Sequence, residues 1–165
     1  MWYRRIVRAL TAAIFIAGGI AHFILGRSEP EGYAVFGDTA LFPWLSDLWA
    51  SFVMPNIGWL TIALGIYEIA CGIGILWKRT AVVAVWGMIL FLCFITVVGY
   101  GFPTTTLGED LLKNRSVTTV MIVLLLPLLK ASPPKSETDV DSREHARLAA
   151  QARHAQPQDS APSPP

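Results

Sequence analysis

A single carboxylate lies near the middle of a long apolar segment of this sequence. Glu68 falls within residues 56–77, and a bilayer crossing needs about 20 mostly apolar residues. An acidic side chain at that depth costs a few kcal/mol to insert, so it marks a candidate functional site. His22, in the first apolar segment, is a side chain that exchanges protons near neutral pH. These two are the candidate catalytic residues, with Glu68 as a proton acceptor or ligand-binding group and His22 as its proton partner.

Three further polar side chains complete the candidate ligand-binding set: Arg115, Thr96 and Tyr100. Counting about 1.5 Å per helical residue puts Glu68 near the midplane, with His22, Thr96 and Arg115 in the outer half. Arg115 suits an anionic or carbonyl-bearing ligand, although an interfacial side chain that extends to the headgroups has the same sequence pattern. Glu68 also has two interpretations. It is either a protonated structural clasp between helices or a working group in a pocket open to the outer side.

Four apolar segments must position these residues, at about 6–26, 56–77, 81–102 and 111–129. The chain has 165 residues, of which 53% are hydrophobic and only 15% are charged, a low charged share for a soluble domain. The short links predict one all-α, four-transmembrane-helix antiparallel bundle over residues 1–130. The basic residues lie mostly on one side, which predicts that both the N and C termini are cytoplasmic. The basic residues assigned to that side are Arg4, Arg5, Arg8, Lys78, Arg79, Lys130 and Lys135.

Stripes of small and polar residues at helical spacing indicate which faces point into the bundle. The stripe on the second segment is Gly58, Thr61, Gly65, Glu68 and Gly72. The stripe on the first is Thr11, Phe15, Gly18 and His22, and that on the third is Trp86, Ile89, Cys93, Thr96 and Tyr100. Glu68 and His22 are therefore predicted to lie inside the bundle.

The segments outside the spans have distinct characters. The first span, with arginines before it and no small-residue cleavage site after it, is predicted to be a retained helix rather than a cleaved signal peptide. Residues 40–52 carry leucines and Phe52 at helical spacing beside two tryptophans, which predicts a short helix on the outer leaflet, acting as a lid or as an anchor. Residues 131–165 are Pro-rich and polar, which predicts a disordered cytoplasmic tail.

Several classes of function lack support in the sequence. The net charge is +1, which gives no indication of nucleic-acid binding. Cys71 and Cys93 form no CxxC pair, and no metal-binding pattern is present. The ligand sets for haem, flavin and iron–sulfur clusters are missing as well. We therefore expect no intrinsic cofactor and no nucleic-acid partner, and no complete catalytic motif marks the chain as an enzyme.

Three motifs in order resemble the DoxX-like family of small four-helix membrane proteins. The end of the first span, Gly18-Gly19-Ile20-Ala21-His22-Phe23, is similar to a Gly-x-x-His/Lys-Phe element of that family. The second span is similar to its Gly-x-x-Glu-x-x-x-Gly-x-x-Leu core over residues 65–76, and 78–81 to its basic turn. The resemblance covers about residues 5–130. It implies a bundle with both termini inside, and Glu68 and His22 at characteristic positions.

The resemblance also implies a role. Some relatives are associated with quinone-linked or superoxide-detoxifying membrane complexes. We therefore expect a multi-pass protein of the plasma (inner) membrane that is an accessory subunit of a redox or stress-response complex, with partner subunits or as a homo-oligomer. A quinone is the candidate ligand. The alternatives are a non-enzymatic scaffold or assembly partner and, ranked lower, a small-solute transporter, since the helices show no inverted repeat.

Overall fold

The computed structural model describes residues 2–130 and Leu148, so the tail predicted for 131–165 lies otherwise outside the described residues. The four long helices are α1 (Trp2–Ser28), α2 (Pro43–Gly74), α3 (Ala81–Val98) and α4 (Leu107–Leu129). Each is long and apolar enough to cross a membrane, and no strand occurs between residues 2 and 130. The predicted all-α, four-helix membrane architecture is therefore confirmed. The side of the membrane on which the termini lie stays a prediction.

Basic side chains at one end of the bundle hold the start of α1 against the ends of α2 and α4. The Arg4 guanidinium donates to two carbonyl groups at the end of α4, at 3.0 and 2.7 Å. Arg8 donates through Nε to the carbonyl oxygen of Ile75, 2.7 Å away and just beyond α2. Helix C-termini leave carbonyls without partners, and these contacts satisfy them. We call this end the basic face, and the opposite end, with the connections 29–42 and 99–106, the loop face.

Glycines let α1 and α2 approach each other closely. A Cβ at Gly19 would lie 2.6 Å from the carbonyl oxygen of Gly65, and a Cβ at Gly65 would lie 2.7 Å from that of Gly19. The two backbones thus touch where small residues face each other, as in many membrane helix pairs. The same seam continues at Gly72, where a Cβ would lie 3.0 Å from the carbonyl oxygen of Ala12. The small-residue stripes therefore set the distance between these two helices.

We expect the substitution Gly65→Ala to lower the free energy of unfolding by about 1–3 kcal/mol, because the added methyl group overpacks the seam. The matched control is Gly58→Ala on the same helix, where no atom lies within 4 Å of an added Cβ. That change should be neutral or stabilising, since alanine favours helix by up to about 1 kcal/mol over glycine. Denaturant unfolding in detergent micelles, followed by circular dichroism, measures both. Equal stabilities would contradict the close approach.

The interior face of α3 differs from the prediction. Trp86 and Cys93, which were predicted to point into the bundle, are exposed. The buried residues of α3 are Ala84, Val85, Met88, Ile89, Leu92 and Val98. The buried side of α3 is therefore rotated about the helix axis relative to the predicted one. The sequence could not define this side because α3 is apolar all round, with a mean hydropathy of 2.7. A helix without a polar face gives no periodic signal for its buried side.

Of the segment 40–52, residues 43–52 form the start of α2 rather than a separate surface helix, and residues 40–42 precede it. α2 begins at Pro43 and changes at Trp49–Val53 to a wider π-helical turn, before the regular helix Ile57–Gly74. Trp49 is buried there, and its indole nitrogen donates to the carbonyl oxygen of Tyr33 at 2.8 Å. The start of α2 is thereby fixed to the connection that follows α1. Two single-turn helices, Pro30–Tyr33 and Val35–Asp38, complete that connection.

α3 ends at Val98, four residues before the predicted boundary at 102. The chain turns at Gly99, whose φ of 88° lies in the left-handed region that favours glycine. The side-chain oxygen of Asn114 then accepts hydrogen bonds from the backbone N–H groups of Tyr100 and Phe102, at 3.3 and 2.9 Å. These backbone groups therefore bind to α4 instead of continuing the helix. The turn carries the Tyr100 side chain back toward the bundle interior.

Candidate functional site

The Glu68 carboxyl group is buried between α1 and α2. The residue is 5% exposed, and its Oε2 atom has no hydrogen-bond partner among the described residues. The carboxyl group fits there because α1 carries Gly18 opposite it, where a Cβ would lie 2.7 Å from Oε2. A buried polar atom without a partner costs about 1–3 kcal/mol. Such an atom is typical of a site that keeps binding capacity free for a ligand.

His22 lies next to Glu68 on the side of the loop face. Its Nε2 atom is 3.7 Å from Oε2 of Glu68, which is close enough for an ion pair but too far for a hydrogen bond. The other ring nitrogen, Nδ1, is 2.7 Å from the Tyr33 hydroxyl. Tyr33 therefore orients the imidazole, and the second nitrogen faces the carboxyl group. The structure thus brings Glu68 and His22 together, in a row that ends at Tyr33.

A cavity of about 180 Å³ has Glu68 in its wall, and we call it the Glu68 cavity. All four long helices and both loop-face connections contribute to its walls. Its lining residues are Ile14, Phe15, Gly18, His22, Phe36, Glu68, Phe91, Leu92, Ile95, Tyr100, Thr118 and Met121. Most of this wall is aromatic or aliphatic, with a few polar groups at fixed places, which is the usual composition of a small-molecule site.

The two tyrosines at the loop-face end of the site both stay protonated at neutral pH. Burial raises the pKa of the Tyr33 phenol, and the nearby Glu68 carboxylate raises it further. The pKa of Tyr100 is raised by the same two causes in the same order. Both hydroxyls therefore remain neutral hydrogen-bond donors. Glu68 is the acidic residue in the wall of the cavity, and its carboxyl group is therefore the candidate proton acceptor.

Of the predicted ligand-binding residues Thr96 and Tyr100, one lines the Glu68 cavity and the other lies behind its wall. Tyr100 lines the Glu68 cavity directly, and its role in binding a ligand stays a prediction. Thr96 does not line it, but its hydroxyl lies 2.7 Å from that of Thr118, which does. Thr96 therefore supports a lining residue from behind. Its proposed contact with a ligand stays a prediction.

Arg115 lies outside the Glu68 cavity in a bonded cluster at the loop face. Its Nε donates to Oδ2 of Asp110 at 2.7 Å, and one terminal nitrogen donates to the carbonyl oxygen of Thr39 at 2.7 Å. The other terminal nitrogen donates to the carbonyl oxygen of Thr96. The side chain is 6% exposed, so it does not extend to the lipid headgroups. Arg115 joins α3, α4 and the α1–α2 connection.

Residues 2–130 contain no cluster of metal ligands and no cysteine pair. No set of three or more His, Cys, Asp or Glu side chains there is arranged to hold a metal ion. Cys71 is buried and Cys93 is exposed, and both are free thiols. The chemistry available at the site is therefore proton exchange and hydrogen bonding by Glu68, His22 and the two tyrosines.

Sequence reasoning missed the residues that the connections bring to the site. Tyr33 was not a candidate, although it follows Pro30, which favours a turn after α1, and it is a polar aromatic in a connection. Phe36, which lies in the same connection, was not a candidate either. Asp110, the partner of Arg115, was not a candidate either. Its spacing of five residues from Arg115 on a polar first turn was the available signal.

Comparisons with known proteins gave no match, since no protein-family model, curated protein or solved structure is similar to this chain at a significant level. The DoxX-like motifs therefore remain a resemblance in sequence. The protein is a multi-pass membrane protein by its four apolar helices, and its function is inferred from the geometry around Glu68.

Proposed function

We propose that this DoxX-like membrane protein binds the ring of a quinone or quinol in the Glu68 cavity, as an accessory subunit of a membrane redox complex. The observation that carries the proposal is the buried carboxyl group of Glu68 in the wall of an aromatic cavity. A quinol hydroxyl at that position donates a hydrogen bond to the carboxylate, and a buried charged acceptor binds a donor strongly. The sequence resemblance supports the same role in the plasma membrane.

The size of the cavity supports a ligand with a single ring. An apolar cavity of about 150 Å³ in another protein binds benzene, and the Glu68 cavity measures about 180 Å³. Phe15 and Phe91 line it and contact each other edge to face, with ring centroids 5.9 Å apart. Aromatic walls of this kind favour a planar ring.

The position of the cavity supports a ligand that arrives from the lipid. The start of α1 contacts the end of α4 near the basic face, where the Tyr3 hydroxyl donates a hydrogen bond to the carbonyl oxygen of Leu124. Farther along this seam, Ile14 and Met121 line the cavity, and Ile14 is 53% exposed. The apolar tail of a quinone fits between these two side chains while its ring reaches Glu68.

The proposed chemistry divides into a proton step in this chain and an electron step elsewhere. When a bound quinol is oxidised to a quinone, two electrons and two protons leave the ring. The Glu68 carboxylate accepts the two protons one after the other, and it passes the first to the adjacent His22 before it takes the second. The electrons pass to a redox group of a partner subunit, because the sequence offers no ligand set for one. The role is therefore accessory.

A cavity-filling substitution tests the proposal. We expect purified wild-type protein to bind a decyl-substituted benzoquinone in micelles, and Ile95→Phe, which adds a ring to the wall, to weaken binding at least about tenfold. The matched control is Leu90→Phe on the same helix, where Leu90 is 71% exposed and lies outside the cavity. Equilibrium dialysis with absorbance detection measures the dissociation constants. Equal weakening in both variants, or no binding by the wild type, would refute the proposal.

A scaffold function is the second candidate, and the 3.7 Å approach of His22 to Glu68 favours it. In that account the two side chains only fix the register of α1 against α2, and the cavity stays without a ligand. Replacement of Glu68 separates the two accounts, as described in the Discussion.

A further inference from the structure

A second cavity lies on the loop-face side of His22, and we call it the loop-face cavity. Its volume is about 340 Å³, and it lies between the outer part of α1 and the connection that follows it. The polar side chains in its wall are His22, Tyr33 and Glu29, and Glu29 is exposed at the surface. This cavity therefore extends from His22 to the exposed Glu29 at the loop face.

His22 forms part of the wall of both cavities, together with Gly18 and Phe36. Its Nδ1 atom is 2.7 Å from the Tyr33 hydroxyl, and Tyr33 lines the loop-face cavity. Its Nε2 atom faces Oε2 of Glu68 at 3.7 Å, and Glu68 lines the inner cavity. The imidazole is thus the polar group between the two spaces.

The surroundings of His22 offer few competing groups. The titratable side chains of the two cavity walls are Glu29, Tyr33, Glu68 and Tyr100. α3 contributes Phe91, Leu92 and Ile95, and α4 contributes Thr118 and Met121, none of which titrates. A proton that reaches Glu68 from water on the loop face therefore has one side chain on its path that both accepts and donates near neutral pH, which is His22.

Building on the proposed quinone site, we propose that His22 carries protons between Glu68 and the loop face through the loop-face cavity, with Glu29 at its mouth. In the outward direction, protonated Glu68 gives its proton to Nε2 of neutral His22, and the Nδ1 proton of the resulting imidazolium leaves to water in the loop-face cavity. Glu68 is then again a carboxylate. His22 returns to its first tautomer when exchange with water removes the Nε2 proton and places one on Nδ1, which leaves the imidazole neutral. A small ring rotation closes the 3.7 Å gap.

Tyr33 is a positioning residue in this route, because its hydroxyl holds the ring and its backbone carbonyl binds Trp49 at 2.8 Å. The route assigns a direction to the site. Protons released during oxidation of the quinol leave at the loop face, and no proton is released at the basic face. The carboxylate of Glu29 raises the local proton concentration at the mouth of the cavity.

The test measures protonation of Glu68 without any quinone, so its result is independent of ligand binding. Protein is inserted in one orientation into sealed phosphatidylcholine vesicles, and the external pH is changed while the internal pH is buffered. Time-resolved infrared spectroscopy follows the Glu68 band, identified by its absence in Glu68→Gln. We expect the band to respond when the loop face meets the pH change, and not when only the basic face does.

Two variants are expected to slow the response, and a third serves as the control. His22→Phe should slow the response at least about tenfold, since a positioned proton-transfer group commonly contributes more than that. Glu29→Gln should slow it about two- to threefold by lowering the local proton concentration. Glu31→Gln is the matched control, because Glu31 is also exposed but does not line the cavity. It should leave the rate unchanged.

Two results would overturn the route: a Glu68 band that follows the pH of the basic face, and a His22→Phe rate equal to that of the wild type. If His22→Phe does not fold, Tyr33→Phe replaces it, since that change removes only the hydroxyl that orients the imidazole. It should slow the response by a factor between those of the other two variants. An unchanged rate in folded Tyr33→Phe would then count against the route.

Discussion

Replacing Arg115 with methionine should lower the free energy of unfolding by about 3–5 kcal/mol, the usual cost of breaking a buried ion pair by removing one partner. The Asp110 carboxylate, which is 16% exposed, then loses its charged donor. The carbonyl groups of Thr39 and Thr96 also lose their hydrogen bonds to the guanidinium. α3, α4 and the α1–α2 connection lose a contact that they share, so we expect one of the largest losses of stability in the chain.

A nearby exposed ion pair provides the matched control. Lys113 lies 3.7 Å from Glu109, and both side chains are more than 40% exposed. Lys113→Met should therefore change the free energy of unfolding by less than about 1 kcal/mol. Arg115→Lys should recover only part of the loss, because an ammonium group does not reproduce the planar set of guanidinium donors. Denaturant unfolding in micelles measures all three variants. A loss for Arg115→Met as small as that for Lys113→Met would contradict this assignment.

Replacing Glu68 with glutamine should weaken binding of a quinol analogue by roughly ten- to hundredfold while the protein stays folded. A hydrogen bond to a charged group contributes about 1.5–3 kcal/mol, and each 1.4 kcal/mol is about tenfold in affinity. Glutamine keeps the shape of the side chain and loses the charge. Equilibrium dialysis against decyl-substituted benzoquinol measures the change. Wild-type affinity in Glu68→Gln would show that the carboxylate takes no part in binding.

The stability of Glu68→Met separates a binding site from a structural clasp. The Oε2 atom accepts no hydrogen bond from the described residues, its distance to Nε2 of His22 is 3.7 Å, and the imidazole keeps Tyr33 as a partner when Glu68 is replaced. Removing a buried carboxyl group whose Oε2 atom lacks a hydrogen bond should therefore leave the protein equally stable or raise the free energy of unfolding by about 1–3 kcal/mol. Function is lost while stability is kept, a common trade at working sites. A clear drop in thermal stability would favour the clasp.

The sequence predicted the spans and the central pair because both depend on local patterns. Apolar length defines a crossing, and the stripes around Gly18 and Gly65 place His22 and Glu68 on facing sides of α1 and α2. An ionisable group in a membrane-spanning segment almost always faces the interior of the bundle, because exposing it to lipid is costly. These features can therefore be read from neighbouring residues without knowledge of the tertiary structure.

The remaining parts of the site depend on contacts between distant residues. Tyr33 reaches His22 because the connection after α1 folds back and is held by Trp49, sixteen residues further along. The turn after Val98 is held by Asn114 on the next helix. Such contacts leave no periodic signal, so the sequence alone did not predict Tyr33 or the early end of α3. The apolar surface of α3 likewise gave no information on its buried face.

The ionisation of Glu68 with and without a quinone tests the central claim most directly. Infrared difference spectra of the protein in micelles are recorded before and after adding the decyl-substituted benzoquinone, with Glu68→Gln as the reference. We predict that the Glu68 band shifts or changes intensity on binding and that the change is absent from the variant. A Glu68 band that stays the same while the quinone binds, or a quinone that does not bind at all, would contradict a quinone site at this carboxylate.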